Sequence, residues 1–227
     1  MKTLILALLL MSLPSLGETL SQSFPAGSGA NYKIKMQADP TPILLQLYVA
    51  STRVDSVNIE YFLETKGLVS VQMWQQFEIG VAPGKAAEIR KGYVLARELT
   101  KPESMPKAYL EGASGGIQVN DFLFADKARL DKDKVGIEMV EISAGATKAT
   151  HYRAASNGQT VDYWISDEAK PMGLVMLVSK SEKDPNRNYS LELVNLMENV
   201  KAKIKPEESV PLTENGKGLL AKPASLR

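Results

Sequence analysis

From Tyr32 onward the chain alternates apolar and polar residues with a period of two, the pattern of half-buried strands. Tyr32, Ile34 and Met36 alternate with Lys33, Lys35 and Gln37, and Asp39-Pro40-Thr41-Pro42 stops the run. Ile43 to Val49 is a second, more apolar candidate, and Val57, Ile59, Tyr61 and Leu63 mark a third. In the fourth, the longest, Val69, Val71, Met73, Phe77 and Ile79 share one face. Ser70, Gln72, Trp74, Gln76 and Glu78 share the other, and Ala82-Pro83-Gly84 closes the strand as a turn. Ala87, Ile89, Tyr93, Leu95 and Leu99 continue less cleanly. Lys101 to Gly116, with two prolines and a Gly-Ala-Ser-Gly-Gly tract, reads as an excursion from the sheet.

The rhythm resumes with Val135, Ile137 and Met139 on one face, turned by Ser143-Ala144-Gly145-Ala146. Thr147 to Ala154 and Thr160 to Ser166 flank Ser156-Asn157-Gly158-Gln159, and Asn-Gly between alternating runs is a strong hairpin signal. Leu174 to Ser179 follows Pro171-Met172-Gly173, and Tyr189, Leu191 and Leu193 suggest a last strand. Leu193, Leu196, Met197, Val200 and Ile204 also fit a helix, so that element has two readings. The pattern predicts a mainly β protein: a curved antiparallel sheet or half-barrel of about ten strands with little helix. Such a sheet must curl, pair with a second layer, or have a face covered.

The ends read differently from the middle. Lys2, the apolar run Leu4 to Met11, Pro14 and the small residues Ser15-Leu16-Gly17 have the layout of a cleaved signal peptide over residues 1–17. The apolar run is too short to span a bilayer, for which ~20 residues are needed. Glu18, not cysteine, would open the mature chain, which argues for a periplasmic or secreted protein without a lipid anchor. Residues 18–30 are polar and Ser/Gly-rich and read as a flexible lead-in. A single β-rich domain is expected over 31–204. The stretch 205–227, rich in Pro, Glu, Gly and Lys, reads as a disordered tail, having too little apolar surface to offset its ordering entropy.

Charge and composition remove several classes of function. The 27 basic residues nearly balance the 26 acidic ones, so nothing attracts nucleic acid in general, and no later segment is an integral membrane span. There is no cysteine. Gly112-Ala113-Ser114-Gly115-Gly116 matches the nucleophile-elbow pattern, but it lies between a Pro-containing loop and a strand-like run, not between strand and helix. The lone histidine, His151, sits mid-strand and would have to serve any Ser-His mechanism. Asp131, Asp133 and Gly136 fit a calcium loop in part, but the closing glutamate is replaced by Ile142. The chain is therefore read as a non-enzyme with no metal and no cofactor. Trp74 and Trp164, on the less apolar strand faces, can stack a ligand or simply pack. Together with Met73, Phe77 and Tyr163 they form the candidate ligand-binding set.

The second half carries a resemblance. Val119-Asn120-Asp121-Phe122-Leu123-Phe124, Val140-Glu141-Ile142-Ser143-Ala144-Gly145-Ala146 and Thr150-His151-Tyr152-Arg153 are followed by Val161-Asp162-Tyr163-Trp164-Ile165-Ser166, Gly173-Leu174-Val175 and Leu191-Glu192-Leu193-Val194. This order, within Gly116 to Ile204, resembles uncharacterised exported bacterial proteins similar to the outer-membrane lipoprotein-sorting (LolA-like) half-barrel family. The resemblance implies a curved antiparallel half-barrel that holds acyl chains, with no catalytic residues. The partner expected is a lipid or lipoprotein segment in an apolar concavity. The alternative is an envelope protein partner, met through a sheet edge or Trp face.

Overall fold

The computed structural model describes residues 20–39, 41–65, 71–81, 87–112, 127–156 and 158–220. The residues 1–17 read as a leader, Ser114, the Val119 to Phe124 motif, the expected turn Ala82-Pro83-Gly84 and the last residues of the tail lie outside that set.

The alternating runs form strands β1 (Gly29–Met36), β2 (Ile43–Thr52), β3 (Ser56–Thr65), β4 (Val71–Gly80) and β5 (Glu88–Ala96). After the two-residue β6 (Glu103–Ser104) come β7 (Lys134–Ile142), β8 (Gly145–Ser156), β9 (Gln159–Ile165), β10 (Leu174–Ser181) and β11 (Tyr189–Met197). A second two-residue strand, β12 (Val210–Pro211), completes one open sheet of twelve strands, ordered β12-β6-β5-β4-β3-β2-β1-β11-β10-β9-β8-β7. Among the described residues only the β12–β6 pair is parallel. The expected ten or so long strands are there, and the two stubs account for the difference. Four short helices accompany them: α1 (Leu20–Ser23), α2 (Lys107–Gly112), α3 (Lys127–Asp133) and α4 (Glu214–Leu220).

Register explains which face is the core, because residues directly opposite across a ladder share a face. Tyr32 pairs with Leu45 and Leu193, Ile59 with Val49 and Phe77, and Leu177 with Leu191 and Tyr163. These positions, with Val57, Ile79, Val94 and Tyr152, are buried and make one continuous apolar layer. The excursion after β5 covers it. Leu110 of α2 and Met105 lie against Gly92, where an added Cβ would meet the Leu110 Cδ2 at 2.6 Å, and Leu130 of α3 is fully buried. Of the expected Asn157-Gly158 hairpin, Asn157 lies outside the described residues; Ser156 is opposite Gln159, and Gly158 has φ 76°, a conformation that favours glycine.

Both ends are more ordered than their composition suggests. In the lead-in, Phe24 is 2% exposed, Thr52 Oγ1 donates to the Phe24 carbonyl at 2.6 Å, and Gly27 and Ser28 extend the ladder along Val49. One large aromatic and paired backbone outweigh the polar neighbours. The stretch 205–220 is likewise not disordered. Past β11, whose strand form settles the helix-or-strand question up to Met197, a strap crosses the face opposite the core to reach the far edge. It buries Ile204, pairs β12 with β6 and ends in α4. The strap needs little apolar surface because the sheet supplies buried acceptors for its backbone N–H groups.

Candidate functional site

The five candidate ligand contacts do not converge. Met73, Phe77 and Tyr163 point to the core face, and Trp74 and Trp164 to the opposite one, as their register partners require. β4 and β9 are six strand spacings apart, roughly 29 Å at ~4.8 Å each. Phe77 lies near Gly92 beneath the α2 region, and Tyr163 stacks on Tyr152 with ring centroids 5.2 Å apart. Trp74 stacks on Phe62 at 4.5 Å, with the Lys203 ammonium 5.7 Å from its ring. Every one of the five has packing or stacking partners within the fold.

Trp164 heads a polar cluster that the sequence did not reveal as a unit. Its ring stacks on His151 at 4.4 Å, and its Nε1–H donates to Glu138. The His151 ring stands between two carboxylates, with Nε2 2.8 Å from Asp162 and Nδ1 3.3 Å from Glu138, and Arg153 Nε donates to Asp162 at 2.7 Å. Burial by itself would raise the Asp162 pKa. The hydrogen bonds and charges of Arg153 and His151 outweigh it and hold the carboxyl below its ordinary range. With both imidazole nitrogens engaged, His151 has none left for a nucleophile, and among the described residues no group of His, Cys, Asp and Glu could hold a metal ion.

A second polar centre anchors the strap. Glu60, fully buried on β3, accepts from the Tyr48 hydroxyl, Gln76 Nε2 (2.8 Å), Lys203 N–H (2.8 Å) and Ile204 N–H (3.0 Å). Burial and the adjacent Glu60 push the Tyr48 phenol well above its usual range, so it stays a donor. This closes the face of β2 to β5 opposite the core.

What stays open is the β7 end of the molecule. Among the described residues β7 is an edge strand with a single neighbour, β8. On its core-side face Val135, Ile137 and Met139 are 57%, 60% and 61% exposed. The alternation placed them correctly on one face, but no sequence signal says that this face lacks a cover. Beside them runs a cleft of about 710 Å³ between the lead-in, β8 and the loop after β9. Ile137 and Ile165 contribute apolar surface to it, whereas Lys148, Asp167, Glu168 and Glu198 make its lining partly charged.

No protein-family model matches the chain, and no curated protein matches it. Among solved structures it is similar to a chain of the Pseudomonas aeruginosa MucA/MucB complex, at 9% identity and a TM-score of 0.43, covering 90% of this chain and 58% of that one. It is also similar to the hypothetical protein CT021 of Chlamydia trachomatis (6% identity, TM-score 0.44, covering 82% of this chain and 96% of that one). A third similarity is to a candidate lipoprotein of Parabacteroides distasonis (13% identity, TM-score 0.33, covering 77% of this chain and 97% of that one). This chain thus spans less than two thirds of the first of these. With every TM-score below 0.5, the similarities carry no argument about what it binds.

Proposed function

We propose that this chain is an envelope binding protein that captures an extended polypeptide segment by adding it as a further strand beside β7. The observation that carries the reading is the contrast between the two sheet edges. Edge strands are usually kept short, charged or interrupted by proline, because their free N–H and C=O groups recruit other chains. β12 follows that rule, with two residues of which one is Pro211. β7 has nine residues and no proline, and although it carries Lys134, Glu138, Glu141 and a bulge at Val135, it also presents three exposed apolar side chains at alternate positions. A free backbone edge with apolar positions at every second residue is what strand addition uses. An acyl chain, the other occupant expected, cannot use the backbone groups and gains little from a charged cleft lining. The leader read from residues 1–17 supports an envelope location.

The test is selection from a displayed library of seven- to nine-residue peptides, followed by hydrogen exchange on the complex. Selected peptides should slow amide exchange in β7, and Ile137→Lys should abolish their binding. Envelope-purified protein that carries acyl chains in native mass spectra, equally in wild type and Ile137→Lys, would replace this reading with lipid carriage.

A further inference from the structure

The side chains along β7 define what a partner strand must carry. Met139 and Ile137 lie on the core-side face, opposite Lys148 and Thr150 of β8, and Val135 follows at the bulge that ends the regular ladder. Glu141, on the same face, is exposed and opposite Ala146, so no basic side chain faces it directly across β8. Lys148 stands only diagonal to it, on the side away from the open edge. Glu141 has no ion-pair partner among the described residues. An incoming strand therefore meets apolar, apolar, apolar and then acid along one face.

We infer that the partner is a foreign polypeptide segment with a basic residue followed by alternating apolar residues, running antiparallel to β7 so that the basic residue faces Glu141. Antiparallel pairing continues the local sheet and is slightly the more stable arrangement per residue. Read from its amino end, the segment is basic-x-apolar-x-apolar-x-apolar, opposite Glu141, Met139, Ile137 and Val135 in turn. The inference rests on the strand-addition reading above.

A second copy of this chain fits worse. Only one antiparallel self-register pairs all three apolar positions with one another, with Ile137 opposite Ile137 and Val135 opposite Met139. In that register Glu141 runs past the end of the partner copy's β7, and the same-face positions of β7 that any antiparallel copy could set opposite Glu141 are Val135, Ile137, Met139 and Glu141 itself, none of them basic. A second copy therefore leaves Glu141 without the opposite charge that a basic residue on another segment supplies.

The experiment uses the full chain and two fluorescein-labelled peptides, Lys-Thr-Val-Thr-Ile-Thr-Val and the same peptide with Glu in first place, in anisotropy titrations at low salt. Wild type should prefer the Lys peptide by about two- to fivefold, the range of a cross-strand charge pair. Glu141→Lys, an exposed change that leaves the fold intact, should invert the preference. Equal affinity of both peptides for wild type and Glu141→Lys, with binding still lost in Ile137→Lys, would overturn the basic-first register and leave strand addition standing. Absence of binding by either peptide, or binding untouched by Ile137→Lys, would overturn both. Concentration-dependent dimers of the free chain that Ile137→Lys dissolves would overturn the foreign partner in favour of a second copy.

Discussion

Replacing Glu60 tests whether one buried carboxylate holds the carboxyl-terminal strap to the sheet. Glu60→Ala removes the acceptor for four donors at once: the Tyr48 hydroxyl, the Gln76 amide and the N–H groups of Lys203 and Ile204. An orphaned buried donor costs ~1–3 kcal/mol. The two backbone donors recover water if the strap lifts, and the Gln76 amide keeps the Ile204 carbonyl at 3.2 Å only while the strap stays down. The net loss expected is about 3–4 kcal/mol, set by the side-chain donors together with the packing of Ile204. Glu60→Gln retains one acceptor oxygen and the shape, and should cost about 1–2 kcal/mol. With a urea slope of about 2 kcal/mol per molar, the unfolding midpoints should fall by about 1.5–2 M and about 0.5–1 M. Tryptophan fluorescence follows the transition. Brief trypsin treatment in native buffer follows the strap, because the bonds after Lys201 and Lys203 become cleavable once it lifts. A Glu60→Ala midpoint within about 0.3 M of wild type, with the strap still resistant to trypsin, would refute the clamp.

Two further outcomes follow from the other buried acids. Glu103, 3% exposed, accepts from Thr213 N–H at 2.8 Å and its hydroxyl at 2.7 Å, and an added Cβ at Gly216 would lie 2.0 Å from its Oε2. Glu103→Ala should therefore free α4, speeding amide exchange in residues 213–220 by at least tenfold while β1 to β4 stay protected; unchanged exchange there would count against the anchor. Asp162 has a folded pKa below its ordinary value, so its contribution to stability is present above the unfolded pKa of ~3.9 and is lost as pH falls further. Urea midpoints of wild type should drop more steeply than those of Asp162→Asn between about pH 4 and pH 2.5, and parallel pH curves would dismiss the effect.

The long strands were legible because each of their faces repeats over enough residues to fix a period, as Val57 to Leu63 and Met73 to Ile79 show. Register was legible only at one hairpin, where Ser156 and Gln159, the residues flanking the Asn-Gly dipeptide of the sequence, stand opposite each other. The candidate site was less legible. Trp74 and Trp164 stood out by type, but whether a tryptophan on the second face meets a ligand depends on what crosses that face. Here Phe62 and Lys203 lie against one and His151 and Glu138 against the other, all from distant sequence or neighbouring strands. The strap escaped notice for a related reason. Its hold on the sheet lies in Glu60 and Glu103, more than a hundred residues upstream, and composition cannot report a partner that far away.

The same long-range covering shows why β7 stands apart. A twisted sheet of this width has two faces and two edges to protect, and each of the others has a specific device. Helices α2 and α3 cover the core face, the strap seals the opposite face of β2 to β5, and β12 with Pro211 ends one edge. On β8 and β9 the stacked Trp164 and His151 fill that opposite face beneath the curl of the β7–β8 hairpin, whose Ser143 reaches Glu192 of β11 at 2.5 Å. That curl holds the tip of β7 while leaving its core-side row bare. Curling alone thus positions the edge without satisfying it. Leu44, Val54, Val71 and Leu196 are exposed singly, whereas Val135, Ile137 and Met139 form a contiguous exposed row that another strand would cover. On this argument the apolar row and Glu141 belong to a binding edge, and the peptide preference of Glu141→Lys is the measurement on which it stands or falls.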